Sequence, residues 1–232
     1  MWAKTVLNDL LSLFFPNLCV LCKNPLVAGE EQVCLGCLCD LPYIHSFLTG
    51  NPMEALFMGR LAFSSASAFL YFEKGNYTQQ LIHSLKYYNN KKLGFILGQL
   101  AATRMQRSDS YVMPDVLIPV PLHPGKQRKR GYNQSEWIAK GMSSVWGIPI
   151  NTAILRRQKK TETQTRRTIY DRKLNMESTF LLTDGCSGLE GKHVLLIDDV
   201  VTSGATMEAC ANELLKQEGV KISLFALSAT KL

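Results

Sequence analysis

Val194-Leu-Leu-Ile-Asp198-Asp199-Val-Val-Thr202-Ser203-Gly204-Ala205-Thr206 is the stretch on which the reading of the fold turns. Val194 to Ile197 form an apolar run that predicts a buried strand, and two carboxylates mark its end. A hydroxyl-rich turn with one glycine then opens a helix predicted over Ala205–Gln217. The N–H groups of that turn converge on the helix N-terminus, where unpaired donors and the macrodipole favour an anion such as a phosphomonoester. Thr202, Ser203 and Thr206 add hydroxyl donors, and Gly204 allows close approach to the backbone. Adjacent carboxylates would be repelled by a phosphate, so Asp198 and Asp199 should face something else. Vicinal sugar hydroxyls, or the hydration shell of Mg²⁺, fit them.

A strand ending in Asp-Asp also fits the Walker B element of an ATPase. That reading fails because Gly125-Lys126 and Gly191-Lys192 lack both the earlier glycine and the following Ser/Thr of a P-loop. No G-x-G-x-x-G follows a strand, which leaves a dinucleotide-binding domain unsupported.

Outward from the motif, strands alternate with helices. Leu61–Phe72 predicts a strand pair. Apolar spacing from Tyr77 to Leu100 predicts two helices broken at Asn89-Asn90. Asp115–Leu122 reads as a buried strand entering a proline-fixed turn, and Asn133–Val145 as a helix. Thr179–Leu182 and His193–Ile197 read as strands, and Lys221–Ala229 as the last strand. Arg156–Lys173 has few apolar anchors and is expected to be an exposed loop. The pattern predicts an α/β domain with a mainly parallel sheet flanked by helices.

Ahead of that domain lie Cys19-Val-Leu-Cys22 and Cys34-Leu-Gly-Cys37-Leu-Cys39. Each tight turn can present two thiolates, so two C-x-x-C pairs match a Cys₄ zinc ribbon of Cys19, Cys22, Cys34 and Cys37, with Cys39 able to replace Cys37. An all-cysteine set leaves no open coordination position, so the zinc should be structural. Disulfides are the competing reading, and nothing in the sequence marks an oxidising compartment. The proline- and glycine-bearing stretch Leu41–Pro52 reads as a linker, which divides the chain into residues 1–52, a short N-terminal helix and the ribbon, and residues 53–232, the α/β domain.

With 232 residues, 46% hydrophobic and 19% charged, the chain suits one core plus a small module and is far from the composition of disorder. The most apolar region, Val6–Cys22, is broken by Asn8, Asp9, Pro16 and Asn17, too often for a membrane span. Met1–Phe15 lacks a cleavage site, so a cytoplasmic location is expected. Of 26 basic residues, 13 fall between His123 and Asn175 with only three acids, so that segment carries +10 of a formal +7 and the remainder is −3. A positive field so focused implies an anionic partner, either a polyphosphate or a nucleic acid backbone.

The thirteen-residue motif resembles the phosphoribosyl-pyrophosphate (PRPP) motif of type I phosphoribosyltransferases at every position. The chain as a whole resembles the bacterial ComF/GntX family, in which a Cys₄ ribbon precedes such a domain. Further matching blocks are Leu81-Ile-His-Ser-Leu-Lys86, Ile118-Pro-Val-Pro-Leu-His123, Arg130-Gly-Tyr-Asn-Gln134, and Thr163-Gln-Thr165 with Arg172 and Asn175. The resemblance implies that Asp198 and Asp199 hold the ribose 2- and 3-hydroxyls. Thr202, Ser203, Gly204, Ala205 and Thr206 would then hold the 5-phosphate, with Val200 and Val201 also part of the PRPP site. Pro121, Leu122 and His123, with Arg130, would sit where the superfamily binds pyrophosphate, and Lys159–Asn175 would be the catalytic lid, contributing Gln164 and Arg172.

The implied reaction is displacement of pyrophosphate from C1 of the ribose by an acceptor, usually a nitrogen, through an oxocarbenium-like transition state. It calls for Mg²⁺ and cations on the leaving group and carboxylates by the ribose. Members of the family are linked to DNA uptake during competence. The resemblance therefore also allows a non-catalytic protein that binds PRPP, a nucleotide or single-stranded DNA, with competence-machinery proteins as partners. Tyr87, Tyr88 and Tyr132 are compatible with nucleic acid but do not interleave the basic run.

Overall fold

Residues 16–45, 51–108, 111–157, 180–183 and 188–231 are described by the computed structural model of the chain. The expected N-terminal helix over Met1–Phe15 lies outside the described residues, as does Lys159–Asn175 with Gln164, Thr165, Arg172 and Asn175. In chain order the elements are α1 (Leu35–Cys39), α2 (Pro52–Phe57), β1 (Ser65–Phe72), α3 (Tyr77–Tyr87), α4 (Lys91–Gln106), β2 (Val116–Pro119) and α5 (Pro124–Arg130). They continue with α6 (Gln134–Trp146), β3 (Leu155–Arg157), β4 (Phe180–Leu182), β5 (His193–Val201), α7 (Ala205–Leu214) and β6 (Lys221–Thr230).

The apolar run of β5 lies in the interior of a four-stranded sheet of order β1-β6-β5-β2, and every pairing is parallel. Its side chains alternate between two apolar layers, as the period of a strand requires. Leu195 and Ile197 pack with Phe225 of β6 and with Leu85, Leu97 and Ile138 of α3, α4 and α6. Val194 and Leu196 pack with Leu224 and, on the opposite face, with Phe57, Met207 and Leu214 of α2 and α7. Helices thus cover both faces of a parallel sheet, the α/β architecture expected of the sequence.

Three local expectations change. Leu61–Phe72 is not a strand pair. It holds one strand, β1, whose partner is β6 (Ser65↔Ser223 to Phe72↔Thr230), because a strand buried on both faces carries no sign of where its partner lies. The turn after β2 becomes the short helix α5, begun by Pro124, whose fixed φ suits a first helical turn, and capped by His123. Arg156 and Arg157 do not start a loop. They stand on β3, which pairs antiparallel with β4 (Arg157↔Phe180), and the Arg157 guanidinium lies 5.2 Å from the ring of buried Phe180.

The chain leaves β2 for α6 on one face of the sheet, and it leaves β5 for α7 on the other. The carboxyl ends of adjacent β2 and β5 therefore flank a topological switch point, the place where open α/β sheets form a ligand crevice.

Candidate functional site

The turn from Thr202 to Thr206 joins β5 to α7 with Thr202 and Ser203 exposed. Gly204 is the N-cap of α7 at φ +76°, and no side chain caps the helix, so its first N–H groups keep their donors free for an anion. The glycine has a second cause that sequence reading missed. A Cβ there would lie 2.8 Å from the Phe57 ring, so α2 packs directly under the turn. Arg60 fixes the turn from the same side, donating to the Ser203 carbonyl at 3.1 Å and pairing with Glu208 in the first turn of α7. Val200, Val201, Thr202, Ser203, Gly204, Ala205 and Thr206 line a hollow of ≈ 40 Å³ together with Asp198.

The strand does not stop at its carboxylates. β5 continues to Val201 because β6 supplies partners that far, Val200↔Ser228 and Val201↔Ala229. Asp199 is in consequence only 8% exposed. Asp198 Oδ1 accepts from the Ser135 hydroxyl at 3.0 Å and from the Asp199 N–H at 2.8 Å. Burial and the neighbouring Asp199 push the Asp198 carboxyl up to about 7, against the opposing pull of those two donors and of Lys86. Asp199 Oδ2 lies 3.3 Å from Lys86 Nζ, an ion pair in which no aligned hydrogen bond reaches the buried oxygen. Lys86 belongs to a block that the family resemblance had flagged, but its contact with Asp199, across more than a hundred residues, left no trace in the sequence.

At the end of β2 the sequence-predicted pyrophosphate residues divide. Pro121 and Leu122 line a cavity of ≈ 300 Å³ with Gln127, Glu136, Arg156 and Arg157. The His123 ring is engaged as the cap of α5, its Nδ1 accepting from Gly125 N–H at 3.1 Å. Arg130 donates to Gln134 Oε1 at 3.0 Å and lies 6.0 Å from the Tyr87 ring. The rest of the Arg130-to-Gln134 block is a latch. The Tyr132 hydroxyl donates to the Leu85 carbonyl, while Asn133 caps α6 and donates to the Val120 carbonyl at 2.9 Å. Tyr132 is buried and cannot stack on a base, whereas Tyr87 and Tyr88 are exposed.

In the N-terminal module the sulfurs of Cys19, Cys22, Cys34 and Cys37 all lie within 4.8 Å of one another, and those of Cys22 and Cys34 are 3.7 Å apart. Four thiolates at ~2.3 Å from one tetrahedral ion would stand ~3.8 Å apart, so this donor set fits a metal ion such as zinc. Cys39 is exposed and outside the cluster, which leaves Cys37 as the fourth sulfur. Burial pushes the Cys19 thiol up, but N–H groups of Cys34, Cys22 and Leu21 outweigh it and bring it down to about 6. Burial and the adjacent sulfurs push Cys37 up to about 12. Four thiolates this close need a cation among them to ionise together.

Comparison with known proteins places this arrangement. The phosphoribosyl transferase domain family matches residues 136–231, which include the Asp-Asp turn but neither β2 nor the cysteine cluster. The chain is 28% identical over 217 residues to Competence protein F of Haemophilus influenzae, covering 90% of this chain and 94% of that protein. It is 26% identical over 233 residues to the DNA utilization protein YhgH of Escherichia coli, covering 93% and 98%. Against Competence protein ComFC of Bacillus subtilis it is 33% identical over 125 residues, 51% of this chain and 47% of that protein. The chain thus carries a phosphoribosyl transferase-type domain behind a four-cysteine cluster, and along most of its length it is similar in sequence to competence and DNA utilization proteins.

Proposed function

We propose that the chain is a PRPP-binding phosphoribosyltransferase, a glycosyltransferase that displaces pyrophosphate from PRPP with a nitrogen acceptor, and that it acts in the cytoplasm. The observation that carries this reading is the uncapped N-terminus of α7, held by Gly204 and Arg60, beside a carboxylate pair, Asp198 and the buried Asp199, at the switch point of the sheet. The N–H groups and hydroxyls from Thr202 to Thr206 would take the 5-phosphate. Asp198 and Asp199 would take the ribose hydroxyls, and the Pro121–Leu122 turn would border the pyrophosphate. Mg²⁺, bound with PRPP, would spread the charge of the leaving group, and the carboxylate pair has the chemistry to face its hydration shell. Arg156 and Arg157 on β3 would carry positive charge at the rim of the larger cavity, ahead of the segment that holds Gln164 and Arg172. Zinc held by Cys19, Cys22, Cys34 and Cys37 would be structural.

The test is a screen of nitrogen nucleophiles for release of pyrophosphate from PRPP with Mg²⁺. Turnover with at least one acceptor is expected. A protein that binds PRPP without turnover, or shifts single-stranded DNA in a salt-dependent way that PRPP does not compete with, would instead be the accessory binder suggested by the names of its relatives and by exposed Lys126, Arg128 and Lys129 on α5.

A further inference from the structure

Lys86 closes the last turn of α3, and its ammonium is 3.3 Å from Asp199 Oδ2. Among the described residues no other ammonium or guanidinium pairs with either carboxylate of the site. A carboxylate this buried needs a cation or several donors, because removal from water penalises its charge. Yet the pairing is not an aligned hydrogen bond, so the ammonium is held near Asp199 by charge while its donors are not fixed on it.

The approach of Lys86 is fixed by its neighbours. The carbonyl of Leu85 accepts from the Tyr132 hydroxyl and from Gln134 Nε2 at 3.4 Å, which ties the end of α3 to the segment joining α5 and α6. That segment follows β2. Lys86 therefore reaches the carboxylates from the sheet face of α3, α4 and α6, whereas the phosphate turn leaves β5 for α7 on the opposite face.

We propose that Lys86 is a substrate-binding residue for the leaving pyrophosphate, resting on Asp199 in the ligand-free site and turning to phosphate oxygens when ribose hydroxyls take its place. This rests on the function proposed above. Three considerations support it. Ribose hydroxyls would satisfy Asp199 without a cation. A lysine on a flexible four-carbon stem can swing between two nearby anions. And an ammonium left beside the ribose would oppose the positive charge that grows there, while beside the pyrophosphate it would favour the negative charge of the leaving group.

The experiment is calorimetric titration of PRPP, inorganic pyrophosphate and ribose 5-phosphate, each with Mg²⁺, into the full chain and its Lys86→Met and Lys86→Arg variants. Lys86→Met should weaken PRPP and pyrophosphate about tenfold or more and leave ribose 5-phosphate within about twofold, and Lys86→Arg should stay within about threefold of the parent for all three. Should the methionine variant not fold, Lys86→Gln with the same ligands decides. Equal weakening of ribose 5-phosphate and PRPP would make Lys86 a support of Asp199 only, and no change with any ligand would remove it from the site; either result overturns the proposal. Lys86-dependent binding of pyrophosphate by a chain that does not bind PRPP would end the proposed function and keep the role of Lys86. A parent chain that binds neither ends both.

Discussion

At Asp198, burial and the adjacent Asp199 raise the carboxyl to about 7, well above the value of an exposed aspartate in an unfolded chain, ~3.9. Between those two values the folded chain holds a proton that the unfolded chain has lost, so this group's contribution to stability falls as pH rises through that window. Asp198→Asn should accordingly melt at a higher temperature than the parent at pH 8, with the advantage shrinking towards pH 4. A constant difference across that range, measured by thermal denaturation, would contradict the assignment. The pair was legible in the sequence because an apolar strand running into Asp-Asp and a hydroxyl-rich turn is a local pattern. Lys86 on Asp199 and Arg60 on Ser203 were not, since each reaches the motif from a distant element, and no local periodicity encodes such a contact.

Between elements, the tightest joint is the crossing of α4 and α6. A Cβ on Gly141 would lie 2.0 Å from the Phe95 carbonyl oxygen, and one on Gly98 2.2 Å from that of Ile138, so the two backbones meet where glycine alone fits. Because α6 begins with Asn133 and Ser135, which reach Val120 and Asp198, this joint also sets the site. Gly141→Ala should cost about 3 kcal/mol or more, as backbone must move against backbone. Gly36→Ala, in open space on α1, should be near neutral by the same denaturant titration. Equal stability of the two variants would refute the close crossing. The helices themselves could be read from their apolar period, which is a property of each segment alone. Their crossing could not, and neither could the pairing of β1 with β6, because partner choice depends on the opposing surface.

For the molecule as a whole, the cysteine module is welded to the sheet. Cys19, Leu21, Val33, Cys37 and Leu41 share one apolar cluster with Phe69, Leu81, Ile82 and Leu85. The chain leaving the module bridges the edge of β1, with Ile44 N–H donating to the Phe69 carbonyl at 3.0 Å and Tyr71 N–H to that of Pro42 at 2.8 Å. A metal ion held there would contribute folding free energy to more than the N-terminal module. Metal analysis of reduced protein should find about one zinc per chain, and a strong chelator should lower the melting temperature of the whole α/β transition. A chain that keeps its melting temperature without metal would contradict this. The four-cysteine cluster was legible because two C-x-x-C pairs have the spacing a tetrahedral ion requires, while its docking on β1 depends on apolar surface that only the folded chain brings together.

The central claim is that the Asp-Asp turn at the switch point is a PRPP site. Its most direct test is titration of PRPP with Mg²⁺ into the parent chain and into the Asp198→Asn, Asp199→Asn double variant, with the fold of each verified by its melting curve. Saturable binding by the parent and its loss, by about a hundredfold or more, in a folded double variant is the predicted result, since two sets of charge-assisted hydrogen bonds disappear. Equal affinity of the two proteins, or no binding by the parent, would contradict it.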